Sequence, residues 1–431
     1  MVLGSPSRLT LTGFHLSWST RIEAGVDAAS RAGHWASSYG VRALVVVGDR
    51  HARASGLLAQ LLGDLAQSGV AVELFEGVPP NPSVAVVEVG AQLARSWRAD
   101  VVVGLGGGSV LDVAKAIAVR AVEHAPDGAT YRRHLSGLRD SSLLVTDALP
   151  VVAIPTLPGS GSETSGTSVI TDDESGRKLS ATSDLAEPRL AIIDPLLAID
   201  APMSLVGAGL VDAFCHALEA GLSARATIAS DALAEQALRL LQRHALILTV
   251  AKSTREQRLE ALLGAWWGSE LAGQALTLAG SIITHPLAHP LSGRFDAPHG
   301  EAVAALEPAV LAVLSERWRA DGGISKVANW LDVRGFSDHD TALRGVLAKL
   351  QRFAVKLEVT RGARELGLAS GAVQVVVRDA RASGSRGLAN VPGGEPSAEE
   401  LLAILDLART VEPNADVRDL LHARRTAAAP G

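Results

Sequence analysis

"VVVGLGGGSVLDVAKAIAV", Val101 to Val119, is the stretch that decides the fold. Its β-branched opening runs into Gly104, Gly106, Gly107 and Gly108, and from about Val110 the apolar residues recur three or four apart. That order predicts a buried parallel strand turning directly into a helix. Glycines let backbone N–H groups approach a phosphate closely, and a helix N-terminus adds positive partial charge, so a diphosphate suits this turn. Ser109 occupies the third glycine slot of a GxGxxG, and no lysine follows it directly, so a tight turn that binds nothing has the same letters. Asp112 and Lys115, three apart on the first helical turns, suit plain helix stabilisation equally well.

The same alternation extends on both sides. "RALVVVG" (42–48), "VAVELFEG" (70–77) and "LPVVAIPT" (149–156) read as further strands, while "ARASGLLAQLLGDLAQSG" and "SVAVVEVGAQLARSWR" read as helices that cover a sheet. The N-terminal part is therefore expected to be an α/β dinucleotide-binding domain with a doubly wound parallel sheet. Asp49 ends the first of these strands, "RALVVVG", where such a fold places a carboxylate for ribose hydroxyls. There it would repel a 2′-phosphate and favour NAD over NADP, although a turn-forming aspartate fits equally well. "PTLPGSGSETSGTS", Pro155 to Ser168, is a second donor-rich loop at a strand's carboxyl end, and a solvated Ser/Gly loop would look the same. After "LAIIDPLLAIDAP" the strand signal stops, and from about residue 203 the chain is patterned as helix. The expected division is residues 1–198, α/β, and 199–431, an all-α C-terminal domain, with the boundary near Asp194 to Pro202. "RRHLSGLRDSSLLVTD", ending at Asp147, has no period and reads as a surface excursion.

Composition narrows the functional classes. The 431 residues suffice for about two or three domains. The net charge is −6 with interspersed signs, which argues against nucleic acid or an anionic membrane as partner and leaves a small metabolite. Cys215 is the only cysteine, so no intrachain disulfide can form and a cytoplasmic location is expected. The opening has no signal-peptide pattern, and no stretch offers about eighteen uninterrupted apolar residues.

"GLVDAFCHALEA" places Asp212 and His216 four apart, on one face of a helix. Alone, the pair would be a surface ion pair. "HPLAHPLSGRFDAPH" adds His285 and His299, and three imidazoles with one carboxylate make a donor set for Fe(II), Zn(II) or a similar first-row ion.

Taken together, "GGGSVLDVAK", "PTLPGSGSET", "DAFCH" and "HPLAHPLSGRFDAPHG" resemble the iron-containing alcohol dehydrogenase family, with weaker likeness at "GVPPNPS" and "EPSAEELLAILDLA". The resemblance implies a cleft between the two domains holding NAD(P) and a divalent metal, Fe(II) first and Zn(II) second. It implies Asp212, His216, His285 and His299 as ligands and His289 as a proton-handling or substrate-orienting residue. It also implies Asp49 at the adenosine ribose, Gly106, Gly107, Gly108 and Ser109 at the diphosphate, Thr156, Ser160 and Ser162 around the adenine and diphosphate, and Lys178 at the nicotinamide ribose. The expected partner is a small alcohol or aldehyde, and a homodimer fits. Three positions depart from the family pattern. Leu157 and Pro158 remove a hydroxyl and stiffen the loop, Pro286 should restrict His285 toward extended geometry and set a helix start at the site, and Ser292 replaces a common glycine. A metal-free maleylacetate-reductase-like enzyme, a dehydroquinate-synthase-like cyclase or lyase, and a non-catalytic NAD-binding protein are the alternatives.

Overall fold

The computed structural model describes residues 14, 16–48, 50–123, 147–383, 385–411 and 415–427. Asp49 and nearly all of the aperiodic excursion before Asp147 lie outside the described residues.

The valine-rich runs pair as one six-stranded parallel sheet in the order β1-β8-β5-β4-β2-β3. Its strands are β1 (Arg21–Ala24), β2 (Arg42–Gly48), β3 (Ala71–Val78), β4 (Val101–Gly106), β5 (Val151–Pro155) and β8 (Leu190–Ile193). β6 (Thr167–Thr171) and β7 (Lys178–Thr182) form a separate antiparallel hairpin. Successive residues of a strand point to opposite faces, and both faces here are covered. Ala43, Val45, Val47, Val101, Val103 and Leu105 share a core with Trp35 of α1 (Ala32–Ala36) and with Leu58, Leu61 and Leu65 of α3 (Leu57–Gln67). Leu44, Val46 and Val102 instead face Val84 and Val87 of α4 (Val84–Trp97) and Val113 and Ile117 of α5 (Gly108–Val122). The described N-terminal residues also include the one-turn α2 (His51–Ala54). This is the expected doubly wound sheet.

From Met203 onward the described residues contain no strand. The helices are α6 (Met203–Leu222), α7 (Ile228–His244), α8 (Arg255–Ala279), α9 (Thr284–Phe295), α10 (His299–Leu314), α11 (Gly323–Trp330), α12 (His339–Lys356), α13 (Val373–Ala382), α14 (Ala398–Thr410) and α15 (Val417–Ala427). Side chains fix several ends: capping boxes start α7 at Thr227, α12 at Asp338 and α14 at Ser397, and the Trp318 indole N–H donates to the last carbonyl of α6, Leu222. α6 alone among the described helices is long and apolar enough to cross a membrane, and it is mostly buried inside the protein.

By contacts the chain forms two compact units. One comprises Trp18–Val206 with Lys252–Trp266, and the other includes Gly207–Ala251 and Trp267–Gly431.

Candidate active site

In the helical unit, α6 carries Asp212 and, one turn later, His216, both almost fully buried. His285 lies in the first turn of α9, and His299 is the first residue of α10. The start of α10 is pressed onto α6: a Cβ on Gly300 would lie 2.2 Å from the Ala208 carbonyl oxygen, so only glycine permits this approach. The three imidazoles converge on one atom. Nε2 of His216, of His285 and of His299 lie 3.6, 3.6 and 3.8 Å from Asp212 Oδ1.

Those distances are too long for hydrogen bonds. Asp212 Oδ1 and His285 Nε2 are buried with no hydrogen-bond partner among the described residues. Orphaned buried donors and acceptors are costly unless something else fills the space between them, and a cation answers both the carboxylate oxygen and the imidazole lone pairs. The electrostatics favour positive charge beside Asp212 Oδ1. Burial pushes the Asp212 carboxyl up, but the His216, His299 and His285 imidazoles outweigh it and hold it well below the usual carboxylate range. Burial likewise opposes charge on His285, yet Glu219 and Asp212 raise it to about 10. The residues present therefore fit a divalent ion. His289, half-buried on α9, sits beside this set with its ring 5.6 Å from that of His299. A second His/carboxylate group, Glu316, His339 and Asp340, is instead closed by Arg319, which pairs with both carboxylates.

The helix start expected at the site is there, but Pro286 does not hold His285 extended. The helix begins at Thr284, so His285 is helical and Pro286 is the third residue of the first turn. N–H groups there have no intrahelical acceptor, and a proline costs no hydrogen bond. Its ring packs against Gly387, where a Cβ would come within 2.9 Å of Pro286 Cγ.

In the α/β unit, the turn after β4 leads into α5 as read from the sequence. Gly107 is the residue before the helix, and the position its side chain would take has nothing within 4 Å. A Cβ on Gly108 would lie 2.9 Å from Ser160 Oγ, so this glycine lets the two donor-rich loops meet. Thr156 is buried and its N–H donates to the Gly106 carbonyl, Ser160 is exposed, and Lys178 begins β7. Ser162 donates its hydroxyl to Asp112 Oδ1 at 2.6 Å. Beneath it lies Lys115, fully buried, whose Nζ donates to the carbonyls of Ser162 and Ser165, each at 3.0 Å, and to that of Thr167, while Asp112 Oδ1 is 3.2 Å away. Burial pushes the Lys115 ammonium down, with Asp112 opposing. The Asp112–Lys115 pair thus sets the path of the 160–169 loop.

Residues 19–195 match the family described as iron-containing alcohol dehydrogenase, and residues 207–408 match its C-terminal family. The chain belongs to the iron-containing alcohol dehydrogenase family. It is 32% identical to long-chain-alcohol dehydrogenase 1 of Geobacillus thermodenitrificans over 343 residues, which is 79% of this chain and 83% of that protein. It is also 32% identical to a 1,3-propanediol dehydrogenase of Klebsiella pneumoniae over 80% of this chain and 86% of that one. Among solved structures, a 1,3-propanediol oxidoreductase superposes with a TM-score of 0.80 at 28% identity, covering 92% of this chain and all of that one.

Three features of this iron-containing alcohol dehydrogenase escaped the sequence reading. Glu219, one further turn along α6, is fully buried with its Oε1 2.5 Å from His285 Nδ1. Glu307 on α10 is equally buried and accepts from the Thr284 hydroxyl, and burial and the Glu219 charge raise it well above the usual carboxyl range. In the α/β unit the Trp266 indole N–H donates to Glu163 Oε1 at 3.0 Å, 103 residues away. The first had a signal, the i, i+4, i+7 spacing of Asp212, His216 and Glu219. The others had none, because their partners are distant in sequence.

Proposed function

We propose that this chain is a metal-dependent alcohol dehydrogenase or aldehyde reductase that moves hydride between NAD(H) and a small alcohol or aldehyde. Residues 1–198 would carry the dinucleotide and 199–431 the ion. The observation that carries the reading is the convergence of three imidazole Nε2 atoms within 3.6–3.8 Å of Asp212 Oδ1.

Asp212, His216, His285 and His299 would hold Fe(II), or Zn(II) in its place. When bound, the ion supplies Lewis-acid stabilisation of negative charge on the substrate oxygen, and the nicotinamide supplies or takes the hydride. His289, half-buried beside His299, would pass the alcohol proton toward solvent. Gly106, Gly107, Gly108 and Ser109, at the N-terminus of α5, would offer backbone N–H groups to the diphosphate. Thr156, Ser160 and Ser162 would line its adenine side, Lys178 would meet the nicotinamide ribose and Asp49 the adenosine ribose. Ser162 would take part through its backbone, its hydroxyl being held by Asp112. A cytoplasmic location and a homodimer complete the proposal; the single, buried Cys215 supports the former.

The names of the matching relatives, alcohol, propanediol and butanol dehydrogenases, favour this reading over the maleylacetate-reductase-like and dehydroquinate-synthase-like alternatives. Chelation should abolish NADH-dependent reduction across an aldehyde panel, and Fe(II) or Zn(II) should restore it. Full activity of a metal-free His285→Ala protein would overturn the proposal.

A further inference from the structure

The buried carboxylate beneath His285 is not needed to complete a donor set, so its conformation requires another account. Glu219 follows Asp212 by seven residues, which on an α-helix returns to within about 20° of the same direction, so it lies on the face that carries Asp212 and His216. Both its oxygens are engaged on the α9 side. Oε1 is 2.5 Å from His285 Nδ1, and Oε2 accepts from the Ile282 backbone N–H at 2.7 Å. The residue therefore grips the imidazole at one point and the chain leading into it at another, three residues upstream.

We propose that Glu219 is the positioning residue of the metal site: it accepts a hydrogen bond from the Nδ1–H of His285 and so commits Nε2, as a lone pair, to the ion. An imidazole carries one N–H and one lone pair when neutral, and a carboxylate on one nitrogen fixes which is which and how the ring is turned. This inference rests on the reading of Asp212, His216, His285 and His299 as ligands.

The experiment is equilibrium Zn²⁺ affinity by competition with a chromophoric chelator, and the visible spectrum of the Co²⁺-loaded protein, for the wild-type full chain and the Glu219→Gln, Glu219→Asp and His285→Ala variants. Circular dichroism checks that each is folded. Glu219→Gln should weaken Zn²⁺ binding by about 10- to 100-fold and shift the Co²⁺ ligand-field bands, and Glu219→Asp should recover part of the loss. A folded Glu219→Gln protein with wild-type affinity and an unshifted spectrum, while His285→Ala binds poorly, overturns the proposal and leaves the ligand set standing. Wild-type affinity in His285→Ala overturns the ligand reading itself. Should Glu219→Gln fail to fold, Glu219→Asp decides alone: affinity and spectrum at wild-type values would overturn the positioning role.

Discussion

Replacing Lys115 by methionine keeps the length of the side chain and removes its charge and all three donors. The carbonyls of Ser162, Ser165 and Thr167 then lose the ammonium that ties them together, and Asp112 loses its counter-charge. The Asp112 side chain is only 14% exposed and keeps two donors, the Ser162 hydroxyl at 2.6 Å and the Val169 N–H at 3.0 Å. Removing one member of a buried ion pair strands the other, which costs about 3–5 kcal/mol. Asp112→Asn in the same background removes the stranded charge but keeps an oxygen for only one of those two donors, so the double variant should regain part of the loss, about 1–2 kcal/mol. Urea unfolding of the four proteins, followed by tryptophan fluorescence, measures the cycle, and Trp266, bonded to Glu163 in the same loop, is well placed to report it. A Lys115→Met protein within about 1 kcal/mol of wild type, or single effects that simply add, would refute the claim that this pair sets the loop.

Two further outcomes follow from residues already described. Burial and the Glu219 charge make Glu307 hold its proton to higher pH in the folded protein than in the unfolded chain, which releases it near 4.5. Its stabilising contribution is therefore complete below that pH and is lost as pH rises toward the folded value, at about 1.4 kcal/mol per pH unit. Glu307→Gln has no proton to lose, so its stability relative to wild type should climb as pH rises above about 4.5, and a flat difference in urea titrations would contradict the raised acid. Gly108→Ala would push a methyl group to 2.9 Å from Ser160 Oγ and 3.1 Å from its Cβ. Displacing that loop by overpacking costs about 1–2 kcal/mol, which should raise the NADH dissociation constant roughly 5- to 30-fold in fluorescence titration, and unchanged binding would remove Gly108 from the diphosphate site.

The sheet could be read because a strand buried on both faces has no polar positions: β2, β4 and β5 are almost unbroken Val, Ala, Leu and Ile. β1, four residues of mixed exposure at the sheet edge, and the β6–β7 hairpin, set in a Ser/Thr-rich stretch, lack that uniformity. The histidines could be read because imidazole is scarce in this chain and three of the four converging side chains carry it. Glu219 shares the helix face of Asp212 and His216 by its i+7 spacing from Asp212, but a glutamate on a helix ordinarily faces solvent and only the partner at its tip gives it meaning. Lys115 was harder still. Its partners are carbonyl oxygens, which every residue has and no letter of the sequence records. Pro286 was misjudged because its effect depends on where the helix starts, and a shift of two residues changes a restriction into a neutral first-turn proline.

α6, long and apolar enough to cross a membrane, is also the helix that carries Asp212, His216 and Glu219. In so apolar a surrounding each of these groups feels its neighbours far more strongly than it would in water, and none can be quieted by solvent. A chain folded without its ion would hold an electrical imbalance at its centre, and filling the site would relieve it. Ion binding then adds to folding stability in proportion to the logarithm of free metal over its dissociation constant. Removing the ion would therefore lower the protein's resistance to unfolding as well as its activity.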